Sequence, residues 1–347
     1  MRILRQLSEA VGVSGAEGAV RRLIIDMISP HVDELQTDVL GNIIALKRGT
    51  ASRGRLRVMV DAHMDEVGLM VVDHEKDGLL RVAAVGGFDP RILPGKRVLV
   101  GPKKLPGVIG VRPIHLLKQE DEDKALDIKD LRVDIGVDSK EAASKKVRLG
   151  DRICFATEWK DLGPTVRGKA FDDRAGCAVL VHLIQGGRLP FDLYAAFTVQ
   201  EEVGLRGAQT AANQIAPDAG IAFEGTIADD LPKEDDVSPT TELGKGPAIS
   251  VMDRSTVCDR RLNRLLTETA EELGIAYQFK QPGIGGTDAG AINRALGGVP
   301  VTALSVPTRY IHGPVAILYK RDYQNTVKLA QAALSRLNNR VLSGEPS

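Results

Sequence analysis

Phe197-Thr-Val-Gln-Glu-Glu-Val-Gly204 brings an apolar run to an end in two adjacent acids, Glu201 and Glu202. Residues 193–199 form a short, apolar run rich in strand-favouring residues, and Gly204 and Gly207 follow it, which predicts a buried strand that stops at Gln200. Neighbouring side chains at such an end point in different directions, so one carboxylate can hold a metal while the other handles a proton. Taken alone, acids at a strand end are more often helix caps or solvated charges.

The same arrangement recurs along the chain. Residues 56–60 form an apolar run that closes in Asp61-Ala-His-Met-Asp-Glu-Val-Gly68, placing His63 and Asp65 at a strand end. Imidazole supplies a ligand nitrogen, and a nearby carboxylate can fix its tautomer. Ala170-Phe-Asp-Asp-Arg-Ala-Gly176 opens a helical pattern with Asp172 and Asp173 at its start. Capping accounts for one of these acids, and a two-oxygen carboxylate suits a bridge between two cations. Residues 219–223 run into Glu224, and residues 299–306 run into Pro307-Thr-Arg-Tyr-Ile-His-Gly-Pro314, which presents His312.

In open α/β sheets the functional crevice lies beyond the carboxyl ends of the strands, so these segments are expected to converge. Two histidines with several carboxylates match zinc, cobalt or manganese better than copper or an iron–sulfur cluster. Gly283-Ile-Gly-Gly-Thr-Asp-Ala-Gly290 lacks the Lys-Ser/Thr ending of a phosphate loop. Asp288 reads there as either a cap or a pocket residue.

Composition bounds the remaining classes. The 347 residues carry 46 basic and 46 acidic side chains, so no global field draws the protein to nucleic acid or an anionic membrane. Aromatic residues make up only 4%, poor material for base stacking. Cys154, Cys177 and Cys258 are widely spaced and odd in number, which fits reduced thiols in a cytoplasmic protein. Residues 1–11 read as a short amphipathic helix without a signal pattern, and no apolar run is long enough to span a bilayer.

Helical periodicity marks the organisation. It is present before about residue 65, fades over 66–162 into short strand-like runs broken by Gly, Pro and charged turns, and returns after Asp172. The expectation is a discontinuous mixed-sheet α/β domain, 1–65 with 163–347, holding a smaller β-rich, barrel-like insertion at 66–162. Strands are expected at 67–72, 78–85, 96–100, 108–111 and 151–155, and covering helices at 256–273 and 323–342. Gln119-Glu-Asp-Glu-Asp-Lys124 reads as a solvated loop. His74, His115 and His182 are assigned no chemistry.

Asp61-Ala-His-Met-Asp-Glu-Val-Gly68, Ala170-Phe-Asp-Asp-Arg174, Thr198-Val-Gln-Glu-Glu-Val-Gly-Leu-Arg-Gly-Ala208, Gly285-Gly-Thr-Asp-Ala-Gly290 and Arg309-Tyr-Ile-His312 together resemble the tetrahedral aminopeptidases. These are dinuclear-metal enzymes whose members carry the names glutamyl aminopeptidase or endoglucanase. The resemblance covers essentially the whole chain in motif order. It implies an α/β metallopeptidase domain and two divalent ions per subunit, zinc or cobalt first and manganese next. Asp172 would bridge them, with His63 and Glu224 completing one site and Glu202 and His312 the other. Glu201 becomes the general base towards a two-metal-activated water, Asp65 orients His63, and Asp173 follows Asp172 across a cis peptide bond. Asp288 and Arg309 would meet substrate. Many relatives carry Asp where this chain has Glu224, and Ser where it has Gly313.

The expected activity is removal of amino-terminal residues from short peptides by a homo-oligomer, a dodecamer built from dimers through the 66–162 insertion. Three other classes are weighed against it. A dinuclear carboxypeptidase or deacylase would need a cationic clamp for a substrate carboxylate. A glycosidase would use Glu201 and Glu202 as its acid pair, but adjacent residues poorly straddle the gap of about 5 Å or more that the bond requires. A non-catalytic scaffold would be expected to have lost a ligand, and this chain keeps them all.

Overall fold

The structure, a computed structural model, describes residues 1–116, 125–231 and 239–343; the acidic run 119–124 lies outside the described residues. The chain opens with helices α1 (Arg2–Glu9) and α2 (Gly18–Ile28), then strands β1 (Glu34–Thr37), β2 (Ile43–Lys47) and β3 (Arg57–His63). Next come β4 (Gly68–His74), β5 (Leu80–Val85), β6 (Arg97–Val100), β7 (Leu105–Gly110), β8 (Arg132–Asp134), helix α3 (Lys140–Lys146) and β9 (Arg152–Phe155). The chain continues through β10 (Lys160–Leu162), β11 (Thr165–Gly168), α4 (Phe171–Gln185), β12 (Asp192–Thr198), α5 (Arg206–Ile215) and β13 (Ala219–Ile227). It finishes with β14 (Ala248–Ile249), α6 (Arg260–Glu272), β15 (Gln278–Phe279), α7 (Asp288–Asn293), β16 (Val301–Arg309), β17 (Ala316–Tyr319), α8 (Lys320–Arg336) and α9 (Asn339–Ser343).

One large mixed sheet runs β1-β2-β12-β3-β13-β16-β17-β11-β10, with β14 joining β16 and β15. Its centre, β12-β3-β13-β16, is parallel, and β2 and β17 flank it antiparallel. Side chains alternate across a strand, so successive residues feed two different cores. Val58, Val60 and Ala62 face one side with Ala195, Phe197, Ile221, Phe223, Leu304 and Val306, covered by α1, α2, α4, α6 and α8. Met59, Ala196, Ala222 and Ala303 face the other, where α5 and α7 press alanines against alanines. Small residues on both partners allow these two short helices to lie close to the sheet.

The strands β4 to β9 form a separate closed barrel in the order β4-β5-β8-β7-β6-β9. Leu69, Val71, Leu80, Val98, Val100, Ile109, Val133 and Ile153 fill it. Closure depends on β8, a three-residue strand that pairs Val133 with both Leu80 and Ile109. β10, inside the stretch 66–162, pairs with β11 in the large sheet, so the barrel strands end at Phe155.

Two covering helices are shorter than their apolar patterns. Asp259 caps α6, accepting from the Arg261 and Leu262 amides at 2.8 and 3.4 Å, which starts the helix at Arg260 rather than 256. The pattern at 323–342 breaks at the extended Leu337, and Asn338 Oδ1 accepts from the Arg340 amide at 2.9 Å to begin α9. Among the described residues no helix is long and apolar enough to cross a membrane.

Candidate active site

The carboxyl ends of the four central parallel strands meet the start of α4. His63 is the last residue of β3 and lies beside Thr198 of β12, so the chain leaving β12 delivers Glu201 and Glu202 to the same edge. Glu224 comes from β13, and the loop after β16 turns back to bring His312. Ala170, Gln200, Tyr310 and His312 all have left-handed backbones, with φ of 53°, 58°, 62° and 54°. Non-glycine residues held in that region cluster at functional sites, where surrounding structure compels an unfavourable local shape.

Asp172 is the centre of the arrangement. Its Oδ1 lies 3.3 Å from His63 Nε2 and its Oδ2 lies 3.4 Å from His312 Nε2. His63 Nε2 is also 3.6 Å from Glu224 Oε2, and His312 Nε2 is 3.4 Å from Glu202 Oε2. Asp172, Glu202 and His312 form one group that could hold a metal ion; His63, Asp173 and Glu224 form another. Asp173, however, already accepts from the His63 and Gly176 amides at 3.2 and 2.8 Å, which fixes it to the start of α4. The peptide bond joining it to Asp172 is cis.

Asp65 sits beneath this layer, accepting from the Glu201 amide at 3.0 Å, the Glu202 amide at 3.2 Å and Ser14 Oγ at 2.6 Å. His63 Nδ1 faces its Oδ1 at 3.4 Å, close enough for an ionic contact though not aligned as a hydrogen bond. Deeper still, Arg174 donates to the carbonyls of Met64, Leu7 and Ala10 at 2.8, 2.6 and 3.0 Å, and Lys169 grips both oxygens of Glu66 at 2.7 Å. Helix α1, the end of β3 and the start of α4 are thereby tied into one support. Cys177 donates its thiol to the His63 carbonyl at 3.1 Å, and burial pushes that thiol well above the ordinary range. It is a packing group.

The electrostatics show what the site lacks. Burial pushes the carboxyls of Glu201 and Glu224 well above the usual range, with Asp173 adding to the effect at Glu224. Burial, partly offset by His312, raises Glu202 to about 8. Asp172 moves the other way, because hydrogen bonds to His312 and His63 outweigh its burial. Burial alone would lower both imidazoles, yet contacts with Asp172 and neighbouring carboxylates hold His63 well above its normal value and His312 at about 9. Carboxylates outnumber imidazoles in a buried space, so protein cations alone leave excess negative charge. Divalent cations would neutralise it, and the oxygen and imidazole donors suit them.

The two residues expected to meet substrate both have protein partners. Arg309 is taken by Asp230 in a two-pronged ion pair, with Nη2 to Oδ2 at 2.8 Å, and does not line the cavity beside the metal-type residues. Asp288 is fully buried and accepts from Thr198 Oγ1 at 2.7 Å, while its amide donates to Glu224 Oε1 at 3.1 Å. It braces Glu224 from behind. Asp61, also fully buried, was given no role from sequence; burial and the Asp288 charge push its carboxyl well above the usual range.

The cavity itself measures about 270 Å³ and is lined by His63, Asp172, Glu201, Glu202, Glu224 and His312. Thr226, Lys280 and the glycine-rich stretch Gly285, Gly286 and Thr287 line it too. Thr226 and Lys280 were not singled out from sequence, because no local pattern shows a threonine or lysine turned inward.

The M42 glutamyl aminopeptidase family model matches residues 41–329. A lysyl aminopeptidase of Pyrococcus furiosus is 36% identical, over 96% of this chain and 96% of its own. A TET aminopeptidase from a marine sediment Thaumarchaeota archaeon superposes with a TM-score of 0.94 at 35% identity, covering 99% of this chain and 98% of that one. The TET1 peptidase of Pyrococcus horikoshii, described as assembling into a tetrahedron or a large octahedral shell, gives a TM-score of 0.85 at 36% identity over 97% and 99% of the two chains. With the fold, the motif order and most of the chain in agreement, this protein belongs to the M42 glutamyl aminopeptidase family and is a peptidase.

Proposed function

We propose that this chain is a two-metal aminopeptidase that releases the first residue of short peptides. The observation that carries this reading is the placement of Asp172, whose two oxygens each face a different histidine. His63, Asp172 and Glu224 would hold one divalent ion, and Asp172, Glu202 and His312 the other, zinc or cobalt being the best matches to these donors. Such ions supply Lewis acidity at the scissile carbonyl and make a water acidic enough to attack near neutral pH.

The chain's own groups do the remainder. Glu201 reaches the same cavity, 3.9 Å from His63 Nε2, and takes the proton of the attacking water before passing it to the leaving nitrogen. Its buried carboxyl is a stronger base than an exposed glutamate, which suits that exchange. Asp65 holds the Glu201 and Glu202 amides together, so base and ligand keep their separate directions. Closely set acidic groups favour a free α-amino group, and the small cavity leaves little room for a blocked or extended end.

Residues 66–162 serve, in this reading, as an assembly module, and a tetrahedron with a dimer along each edge gives a dodecamer. Enclosure would restrict substrates to short, unfolded peptides. Three free, buried cysteines accord with a cytoplasmic setting. The test is a panel of free and amino-acetylated peptides with and without zinc, cobalt or manganese. Metal-dependent release of the first residue from free peptides alone is expected. Equal cleavage of acetylated peptides, or internal cuts in long chains, would overturn the reading.

A further inference from the structure

Among the described residues, the buried lysines and arginines are spent, with one exception. Lys47 donates to the carbonyls of Ile184 and Gly186, Lys169 to Glu66, and Arg174 to a set of carbonyls and Glu66. Lys280 is only 5% exposed, yet its ammonium has no hydrogen-bond or ion-pair partner among the described residues. It lines the same cavity as the metal-type ligands. Burying an ammonium without a counter-charge is costly, so a cation left this way in a cavity wall marks where an anion is received.

The wall around it is built to hold it there. The Lys280 amide donates to the Ile249 carbonyl at 3.0 Å, extending the pairing of β15 with β14. A Cβ placed on Gly285 would lie 3.7 Å from Lys280 Nζ, so the ammonium lies over the glycine-rich loop. That loop is fixed in turn: the Arg254 amide donates to the Gly285 carbonyl at 2.8 Å, and Thr287 Oγ1 donates to Asp253 Oδ2 at 2.8 Å. An unspent ammonium in a cavity wall matches a carboxylate, which accepts its protons in a charge-assisted hydrogen bond.

We infer that Lys280 receives the side-chain carboxylate of an acidic first residue, making glutamyl and aspartyl peptides the preferred substrates. The inference rests on the aminopeptidase reading, since the first residue's amino end must lie at the acidic side of the cavity. Family membership does not decide the matter: the family model is described as glutamyl, whereas the Pyrococcus furiosus relative is lysyl. Arg309, the other basic candidate, is neutralised by Asp230.

The test compares glutamyl and glutaminyl p-nitroanilides, which differ in side-chain charge and carry no terminal carboxylate. The wild type should show a kcat/KM ratio of glutamyl to glutaminyl on the order of tenfold or more, as expected when a buried charge finds its partner. Lys280→Met should bring that ratio close to one, and Lys280→Arg should preserve a preference for the acid. Because the ratio is internal to each preparation, a partly folded variant does not distort it. A wild type indifferent to the charge, or a Lys280→Met variant that keeps the preference, overturns the proposal. Binding of free L-glutamate and L-glutamine by calorimetry separates this from failure of the parent reading. If no anilide is cut, the aminopeptidase reading falls. Glutamate binding weakened about tenfold by Lys280→Met would still support the charge contact, and unchanged binding would overturn it.

Discussion

The two halves of the centre are built from different material. His63 and Glu224 sit on adjacent central strands with side chains 1% and 4% exposed, and Asp65 and Asp288 brace them from beneath. His312 comes from a loop beyond β16, holds a left-handed backbone and is 39% exposed, although its partner Glu202 is buried. One half is a product of sheet register; the other is completed by a connection free to vary. A buried half is expected to retain its ion and an open half to exchange it, with Asp172 binding their fates together.

Asp172→Ala should have the largest effect, because it strips the shared carboxylate from both halves. Elemental analysis should find both ions lost and activity at background, and retention of either ion at full occupancy would show that the halves are independent. Glu201→Gln comes next. It should lower kcat by about 10²- to 10⁴-fold, the range for removing a general base, with metal content and fold unchanged. A comparable loss of metal in that variant would place Glu201 among the ligands instead.

How much of this was legible from the chain follows from locality. His63, Glu202, Glu224 and His312 each follow an apolar run, so a strand-end argument reaches them without knowledge of neighbours. Lys280 follows a two-residue strand whose position depends on β14 and β16, and nothing within its own stretch reveals that it turns inward. The partners of Arg309 and Asp288 were hidden for the same reason: Asp230 and Thr198 are distant in sequence. Five barrel strands could be anticipated from alternation, whereas β8 is three residues long with a charge at each end, and closure rests on it. The break at Leu337 escaped because apolar spacing continues through it and only Asn338 signals the restart.

The third prediction tests the difference between the halves directly. Stepwise dialysis against a weak chelator should remove one ion per subunit before the other, and His312→Ala should hold a single ion under conditions where the wild type holds two. His63→Ala should instead disturb the buried half. Simultaneous loss of both ions at one chelator concentration would erase the distinction drawn from exposure.

The smallest effect is expected one layer further out, at Ser14. Its hydroxyl donates to Asp65 Oδ2 at 2.6 Å, the oxygen that also receives the Glu202 amide. Ser14→Ala removes one of several donors to a carboxylate that keeps both backbone amides, so the ligand and base stay in place with a looser support. Losses of about 10- to 100-fold are typical when a partner behind a metal ligand is removed outright. Here the remaining amides should confine the fall to the lower end, with metal content preserved and KM little changed. Asp65→Asn, which weakens acceptance from both amides at once, should cost more. If Ser14→Ala proved as damaging as Glu201→Gln, the hydroxyl and not the amide pair would be what sets the direction of Asp65. If it had no effect, the strand ends alone would be sufficient to hold the acid.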